Sequence, residues 1–217
     1  MPGTGMKERF EKIYADNEWG RGSGEGSAPV NNREYASFLE AFLRERSIAS
    51  VVDLGCGDWQ FSKYIDWGPA KYDGYDIVSS VVSTNKERYS TGSISFHSYS
   101  GSFLDLPPAD LLIAKDVLQH WSNESVARFL PILDRYKYAL LTNCVNPGGE
   151  TLNTDIEDGG FRFLDLRRPP FDLKATEVLQ FRQHRNLLKV LLQRPQWLKR
   201  VLLVETQPSR QRSAVQP

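Results

Sequence analysis

From Ala49 to Asn143 short β-branched runs alternate with stretches whose apolar residues recur at helical spacing, and this alternation constrains the fold more than any other feature of the chain. "ASVVDLG" reads as a strand ended by glycine, and "QFSKYIDW" as the helix after it, closed near Gly68 and Pro69. "KYDGYDIV" is a second strand, followed by a helix over "SSVVSTNKERY" with Ser79 or Ser80 as its N-cap. "SISFHSY" is a third strand, and "DLLIAKDVLQHW" a fourth that is nearly continuously apolar. "SNESVARFLPILDRY" restores helical spacing behind a Ser122 N-cap, with Glu124 favourable against the dipole and a bend at Pro131. "KYALLTN" is the fifth strand, and ahead of the series Tyr35, Phe38, Leu39, Phe42 and Leu43 predict an amphipathic helix over Asn31 to Arg46. Strands joined in this way by helical crossovers form an α/β, doubly wound, mostly parallel sheet with helices on both faces. "KATEVLQFR" and "LKRVLLVET" read as strands around a helix or long excursion over "NLLKVLLQRPQW", so the sheet has about seven strands and finishes with an antiparallel pair.

The chain of 217 residues is long enough for one domain with a sizeable core. That domain is expected over residues 31–206, with residues 1–30 as an N-terminal lid or extension and 207–217 as a frayed tail. Its 27 basic and 27 acidic residues cancel, which speaks against nucleic acid or an acidic membrane as partner. No stretch approaches the roughly 18 to 20 apolar residues of a membrane helix, and "MPGTGMKERF" lacks the apolar core of a signal peptide, so a cytoplasmic protein is expected. Cys56 and Cys144 fall in segments that read as buried, which favours reduced thiols over a disulfide.

Sheets of this class bind ligands beyond the carboxyl ends of their strands. That rule singles out Leu54 to Trp59, Asp76, Gly101 to Asp105, Lys115 to Trp121 and Asn143 to Gly149. In "VVDLGCGDW", Gly55 and Gly57 allow a sharp turn and a close approach of backbone to ligand. Asp76 ends the second strand about 20 residues later, where a carboxylate can accept both hydroxyls of a ribose, and the two features together indicate an adenosine-containing cofactor. Gln60 stands where a dinucleotide fingerprint has its third glycine, and Asp53 and Asp58 suit an ammonium better than a pyrophosphate.

On these residues the chain resembles the class I S-adenosylmethionine-dependent methyltransferases, whose first motif is a strand followed by (D/E)-x-G-x-G, and the likeness runs from about Asn31 to Glu205. The resemblance implies a Rossmann-like fold in which Asp53, Gly55 and Gly57 cradle the methionine part, Asp76 holds the ribose, and Ser102 and Phe103 meet the adenine ring. Ser102 departs from the family, many of whose members carry an acid there, although its hydroxyl can accept the same hydrogen bond with help from Asp105. The segment "AKDVLQHW" then flanks the transferable methyl. His120 is the general base for a hydroxyl acceptor, unless it caps the next helix or packs under Trp121. Asp116, as a second catalytic residue, and Lys115, beside the cofactor, either line the pocket or pair with each other at the strand end. Asp116 and Asn143 end neighbouring strands and are the two candidate ligands for a magnesium ion, too few to define a site.

"NCVNPGGETLNTDIEDGGFRFLDLRRPPF" is long for a loop without function. Asn146, Asn153, Asp155, Arg162 and Asp165 would form a polar wall, with Tyr14, Trp19 and Phe161 stacking on it, which is what a polyhydroxylated acceptor needs; the alternative is a solvated loop pinned by its own Asx turns. The lead-in "EWGRGSGEGSAP", with Trp19 as anchor and glycines as hinge, can fold across the cleft as a lid. Together with "DVLQHW" and "GGFRFLDLRRPPF" it is similar to a bacterial subgroup associated with saccharide modification, including the sugar O-methyltransferases of mycobacterial methylmannose polysaccharide synthesis. That resemblance implies methylation of a hydroxyl on a sugar or short saccharide, a mannoside among them. The alternatives are an N-methyltransferase or a phenolic O-methyltransferase, the phenol being favoured by a predominantly apolar pocket, and a non-catalytic adenosine-ligand-binding protein, which would have no acceptor. A nucleic-acid methyltransferase would need a basic patch and N/D-P-P-(Y/F/W) after the fourth strand, where this chain has "KDVLQHW". The partners expected are a small-molecule acceptor and, among proteins, a second copy of the chain as a homodimer.

Overall fold

The structure, a computed structural model, describes residues 4–20, 22–183 and 196–206. Seven strands form one sheet: β1 (Ser50–Leu54), β2 (Lys71–Asp76), β3 (Ile94–Ser98), β4 (Ala109–Lys115), β5 (Tyr136–Val145), β6 (Thr176–Arg182) and β7 (Leu198–Glu205), in the spatial order β3-β2-β1-β4-β5-β7-β6. The first five run parallel, while β7 lies antiparallel between β5 and β6. The order reverses between β1 and β4, and the parallel strands end there on one side, which is where a doubly wound sheet opens a crevice. This is the α/β architecture expected from the sequence, with its antiparallel finish.

Two apolar layers cover the sheet. On one face α1 (Thr4–Ala15) buries Phe10 and Ile13, and α4 (Asn123–Phe129) buries Val126 and Phe129, against Val52, Leu112 and Leu141. On the other, α2 (Arg33–Glu45) buries Tyr35, Leu39, Phe42 and Leu43 against Val51, Leu111 and Leu140. The fourth helix, α3 (Ser79–Tyr89), packs at the β2–β3 edge with Val81 on one layer and Val82 on the other. Phe10 and Ile13, from α1, belong to the core.

Four local expectations differ. The segment "QFSKYIDW" holds only a short 3₁₀ turn, Ser62–Tyr64, instead of a helix. Trp59, at φ +56°, turns its indole inward against Tyr72, Tyr89 and Phe96, and Ile65 and Trp67 are buried as well, so no single helical face could serve them all. The fourth strand stops at Lys115, because Asp116 has φ +60° and the chain then makes a 3₁₀ turn over Leu118–His120. Helix α3 is capped by Val78, whose N–H donates to Asp76, rather than by Ser79 or Ser80. Helix α4 has the Ser122 cap, accepting from Ser125 N, but passes into 3₁₀ geometry over Leu130–Arg135, with Pro131 in its first turn. The stretch read as a helix or excursion over 186–197, and the tail 207–217, lie largely or wholly outside the described residues. Among the described residues no helix is long and apolar enough to cross a membrane.

Candidate active site

A cavity of about 410 Å³ opens at the carboxyl ends of β1, β2 and β4 and is lined by the glycine loop, Asp76, the turn after β4 and the strap of residues 23–27. At one end sit Gly55 and Gly57, at φ +71° and +57°. A Cβ on Gly55 would stand 2.3 Å from Val117 Cγ2, and one on Gly57 would stand 2.4 Å from Ser23 Oγ, so both positions require glycine for space as well as for backbone conformation. The buried Asp76 carboxylate accepts from Gly57 N and from Val78 N, each at 2.9 Å, and so ties the loop to the start of α3. Burial raises its pKa, against the stabilising effect of these N–H donors. Asp76 lines the cavity, and the two oxygens of a carboxylate offer about four acceptor sites, more than these N–H donors use. Asp53 is deeper: burial pushes its carboxyl up to about 7, opposed by the Tyr72 hydroxyl, which donates to it at 2.7 Å, and by the charge on Lys115. Trp59 Nε1 donates to the same tyrosine oxygen at 2.9 Å and fixes its direction.

The other end is built around His120. Its Nδ1 lies 2.7 Å from the carbonyl oxygen of Gly160, and a carbonyl can only accept, so Nδ1 carries the hydrogen. In the neutral ring the basic lone pair is therefore on Nε2, where the Gln119 amide donates to it from 3.5 Å. Burial lowers the imidazole pKa and keeps it neutral at neutral pH, against the Gly160 bond, which favours the charged form. Trp19 lies tilted over the ring at a centroid distance of 5.0 Å, and Phe161 lies on it at 5.8 Å. Gln119, whose Oε1 accepts from Cys144 N at 2.6 Å, links the turn carrying His120 to β5.

The turn after β4, the glycine loop and the histidine face one cavity on a seven-stranded sheet, and residues 3–151 match the O-methyltransferase domain family. The chain belongs to that family. Solved methyltransferases share the fold. Magnesium protoporphyrin IX methyltransferase (ChlM) from Synechocystis PCC 6803, crystallised with SAM, matches at 16% identity and TM-score 0.60, over 93% of this chain and 97% of that one. The 1,6-didemethyltoxoflavin-N1-methyltransferase of Burkholderia thailandensis, with its acceptor and S-adenosylhomocysteine bound, matches at 17% and TM-score 0.63, over 93% and 88%. No curated protein matches the sequence.

In this methyltransferase domain Asp53, Gly55, Gly57, Asp76, Lys115, Asp116, His120, Tyr14 and Trp19 all line the cavity. Ser102 and Phe103 do not. The Ser102 hydroxyl caps the 3₁₀ turn Phe103–Asp105 by accepting from Leu104 N, and the Phe103 ring packs behind Tyr99, Trp121 and Phe129. Tyr99, Ile77 and Val78 stand at the cavity in their place.

The polar wall is also elsewhere. Asn153 Nδ2 donates to the carbonyls of Asp165, Arg168 and Pro169, and its Oδ1 accepts from Asp165 N. Arg162 donates to Asn123 Oδ1, Thr154 O and Trp121 O, while Asp155 accepts from Asn123 N and Ile156 N. All three hold the long loop together, because a segment without a ladder must satisfy its backbone through side chains. Phe161, from the same loop, does reach the cavity.

Asp116 is engaged in an ion pair through one of its oxygens. Its Oδ2 accepts from Lys115 Nζ at 2.6 Å and from Lys199 Nζ, and the two ammonium groups hold its pKa down to about 2, against burial. A carboxylate so acidic is a poor proton acceptor, and two adjacent cations repel a third. Asn143 does not line the cavity, and no cluster of three or more potential side-chain ligands occurs among the described residues. The residues present do not fit magnesium. Lys199 escaped the sequence reading, although a lysine on the strand face occupied by Val201 and Leu203 was a visible signal.

Proposed function

We propose that the chain transfers a methyl group from S-adenosylmethionine to the hydroxyl of a small, flat aromatic acceptor, with His120 as general base. The observation that carries this reading is a neutral, Nδ1-anchored imidazole whose Nε2 lone pair, met only at 3.5 Å by the Gln119 amide, belongs to a ring that lines the cavity shared with the glycine loop. Two unbranched positions at positive φ, a carboxylate with lone pairs to spare and an apolar slot at Ile77, Val78 and Tyr99 fit the amino-acid, ribose and base parts of that cofactor. When bound, S-adenosylmethionine supplies a methyl on a sulfonium sulfur, which keeps the electron pair as the acceptor oxygen gains the methyl.

The chain's own contribution is positional. His120 Nε2 takes the hydroxyl proton, Gly160 keeps the ring in the required tautomer, and Trp19 and Phe161 form apolar walls that exclude water and orient an aromatic ring. A saccharide acceptor drew its support from a sequence resemblance and from Asn153, Asp155 and Arg162, and the second support is lost because those side chains are used within the loop. The aromatic acceptor is therefore preferred.

The test is calorimetric titration with S-adenosylhomocysteine, followed by a radiolabelled methyl-transfer assay on phenols, mono- and disaccharides and amines. Micromolar binding with label on a phenol supports the reading. Label on a saccharide alone overturns the acceptor, and binding without label on any class favours a ligand-binding protein. In the same titration Asp76→Ala is expected to weaken S-adenosylhomocysteine by at least about 10-fold, as for loss of hydrogen bonds to a charged group worth roughly 1.5 to 3 kcal/mol. Unchanged affinity would remove Asp76 from the ribose.

A further inference from the structure

The glycine loop is clasped from outside by the segment that precedes α2. Ser23 N donates to Asp58 Oδ2 at 3.2 Å, and Asp58 N donates back to Ser23 Oγ at 2.9 Å. The fit is steric as well as polar. Gly22 stands at φ +68°, and a Cβ there would lie 2.1 Å from Asp58 Oδ2, so the clasp closes only on a glycine.

This clasp reaches both ends of the cavity. On the cofactor side Gly57, next to Asp58 in the chain, donates its N–H to Asp76, and its carbonyl accepts from Asn85 Nδ2 at 2.7 Å. The carboxylate assigned to the ribose and the clasp therefore share one short stretch of backbone. On the acceptor side the Tyr14 hydroxyl lies 2.6 Å from Ser23 Oγ, and the Tyr14 ring meets Trp19 edge-on at 5.7 Å. Gly24, the residue after Ser23, packs on the same tryptophan, since a Cβ there would stand 3.3 Å from Trp19 Cβ. Trp19 in turn covers His120.

Gly22 and Ser23 bring no apolar side chain of their own, so this corner is held by the clasp rather than by burial, and such segments belong to the least stable parts of a fold. A ligand that bonds to Asp76 stabilises the loop geometry in which Gly57 N is held and Asp58 N meets Ser23. An equilibrium between open and closed clasp shifts through a differential contact of that kind.

We propose that Ser23 is a positioning residue: its clasp on Asp58 closes when cofactor holds the glycine loop, and the closed clasp sets Tyr14 and Trp19 against His120. The acceptor site is then completed on the cofactor-loaded protein, and the cofactor binds first. This rests on the proposed places of cofactor and acceptor and adds the order in which they fill. Such coupling is reciprocal, so a bound acceptor holds the cofactor in turn.

The experiment reads Trp19 by iodide quenching of tryptophan fluorescence. Trp59, Trp67 and Trp121 are buried, whereas Trp19 is half-buried and Trp197 exposed, so in the whole chain carrying Trp197→Phe the quenching reports on Trp19. Saturating S-adenosylhomocysteine is expected to remove most of that quenching. Adding Gly22→Ala, at a position outside the cavity lining, is expected to keep the quenching at its ligand-free level although S-adenosylhomocysteine still binds by calorimetry, and Ser23→Ala in its place should do the same. Quenching that S-adenosylhomocysteine leaves unchanged overturns the inference before any clasp variant is made. Full protection in the Gly22→Ala and Ser23→Ala proteins overturns it too, since the ligand would then shield Trp19 directly. Absence of binding heat overturns the cofactor assignment and the coupling together. Failure of methyl transfer to every acceptor class, with the protection intact, overturns the acceptor assignment alone.

Discussion

Replacing His120 by alanine is expected to cut turnover by about 100-fold or more while leaving the affinity for S-adenosylhomocysteine unchanged. The size follows from the role: a positioned base contributes only in the transition state, when the hydroxyl proton leaves, so its loss falls on kcat rather than on binding. The pH profile gives a second readout. Because burial lowers the His120 pKa below its ordinary value of about 6.5, the ring is neutral and basic through the neutral range, and kcat/KM should fall only as pH drops through that lowered value. The alanine protein should lack this acid limb. Wild-type turnover, or an unchanged limb, would show that another group takes the proton and would leave His120 as a ring packed between Trp19 and Phe161.

The parts of this fold that were legible in the sequence are those where one physical demand dominates. Val51, Val52, Leu111 to Ala114 and Leu140, Leu141 are buried between two layers, and strands covered on both faces must read as apolar runs. Gly55, Gly57 and Asp76 were legible for the same reason: steric contact with Val117 and Ser23 leaves no room for a side chain, and the acid is bonded to the loop it accompanies. Legibility fails where one residue type answers two demands. Asn, Asp and Arg serve a polar ligand and an unladdered backbone equally well, and in the loop after β5 the backbone takes them. Phe103 was expected at the ligand and instead packs against Tyr99, which lines the cavity in its place, a displacement that residue type cannot register. Met6, Phe10, Ile13 and Tyr14 have helical spacing, yet glycine-rich polar sequence on the C-terminal side obscured that α1 belongs to the core. The pairing of Asp116 with Lys199 joins residues 83 apart through the antiparallel return of β7, and no local pattern carries such information.

That pairing leads to the largest expected effect on stability. Asp116→Asn should destabilise the protein by about 3 to 5 kcal/mol, because removing one member of a buried ionic cluster strands the others, here two ammonium groups. For a domain of this size the melting temperature should fall by roughly 10 °C. Asparagine is the informative substitution, since Asp116 sits at φ +60° and asparagine tolerates that conformation, so the loss reports charge and not backbone strain. The sign of the pH dependence separates this account from a packing defect. In the native protein the Asp116 pKa is lowered to about 2, so its contribution is present above the unfolded carboxylate value of about 3.9 and is lost as pH falls toward about 2. In Asp116→Asn the lysines lose the counter-charge that raises Lys199 and limits the lowering of Lys115 to about 8, so both pKa values fall, and once below the unfolded lysine value of about 10.4 the unfolded chain binds more protons than the folded one. Stability of the variant should therefore rise with pH across the alkaline range, whereas a packing defect would show no such slope. Adding Lys199→Met should recover part of the loss, because only one ammonium then remains, and it still has the Phe61 and Tyr35 rings and the Gly26 carbonyl. Strict additivity of the two substitutions would mean that Asp116 and Lys199 do not interact in solution.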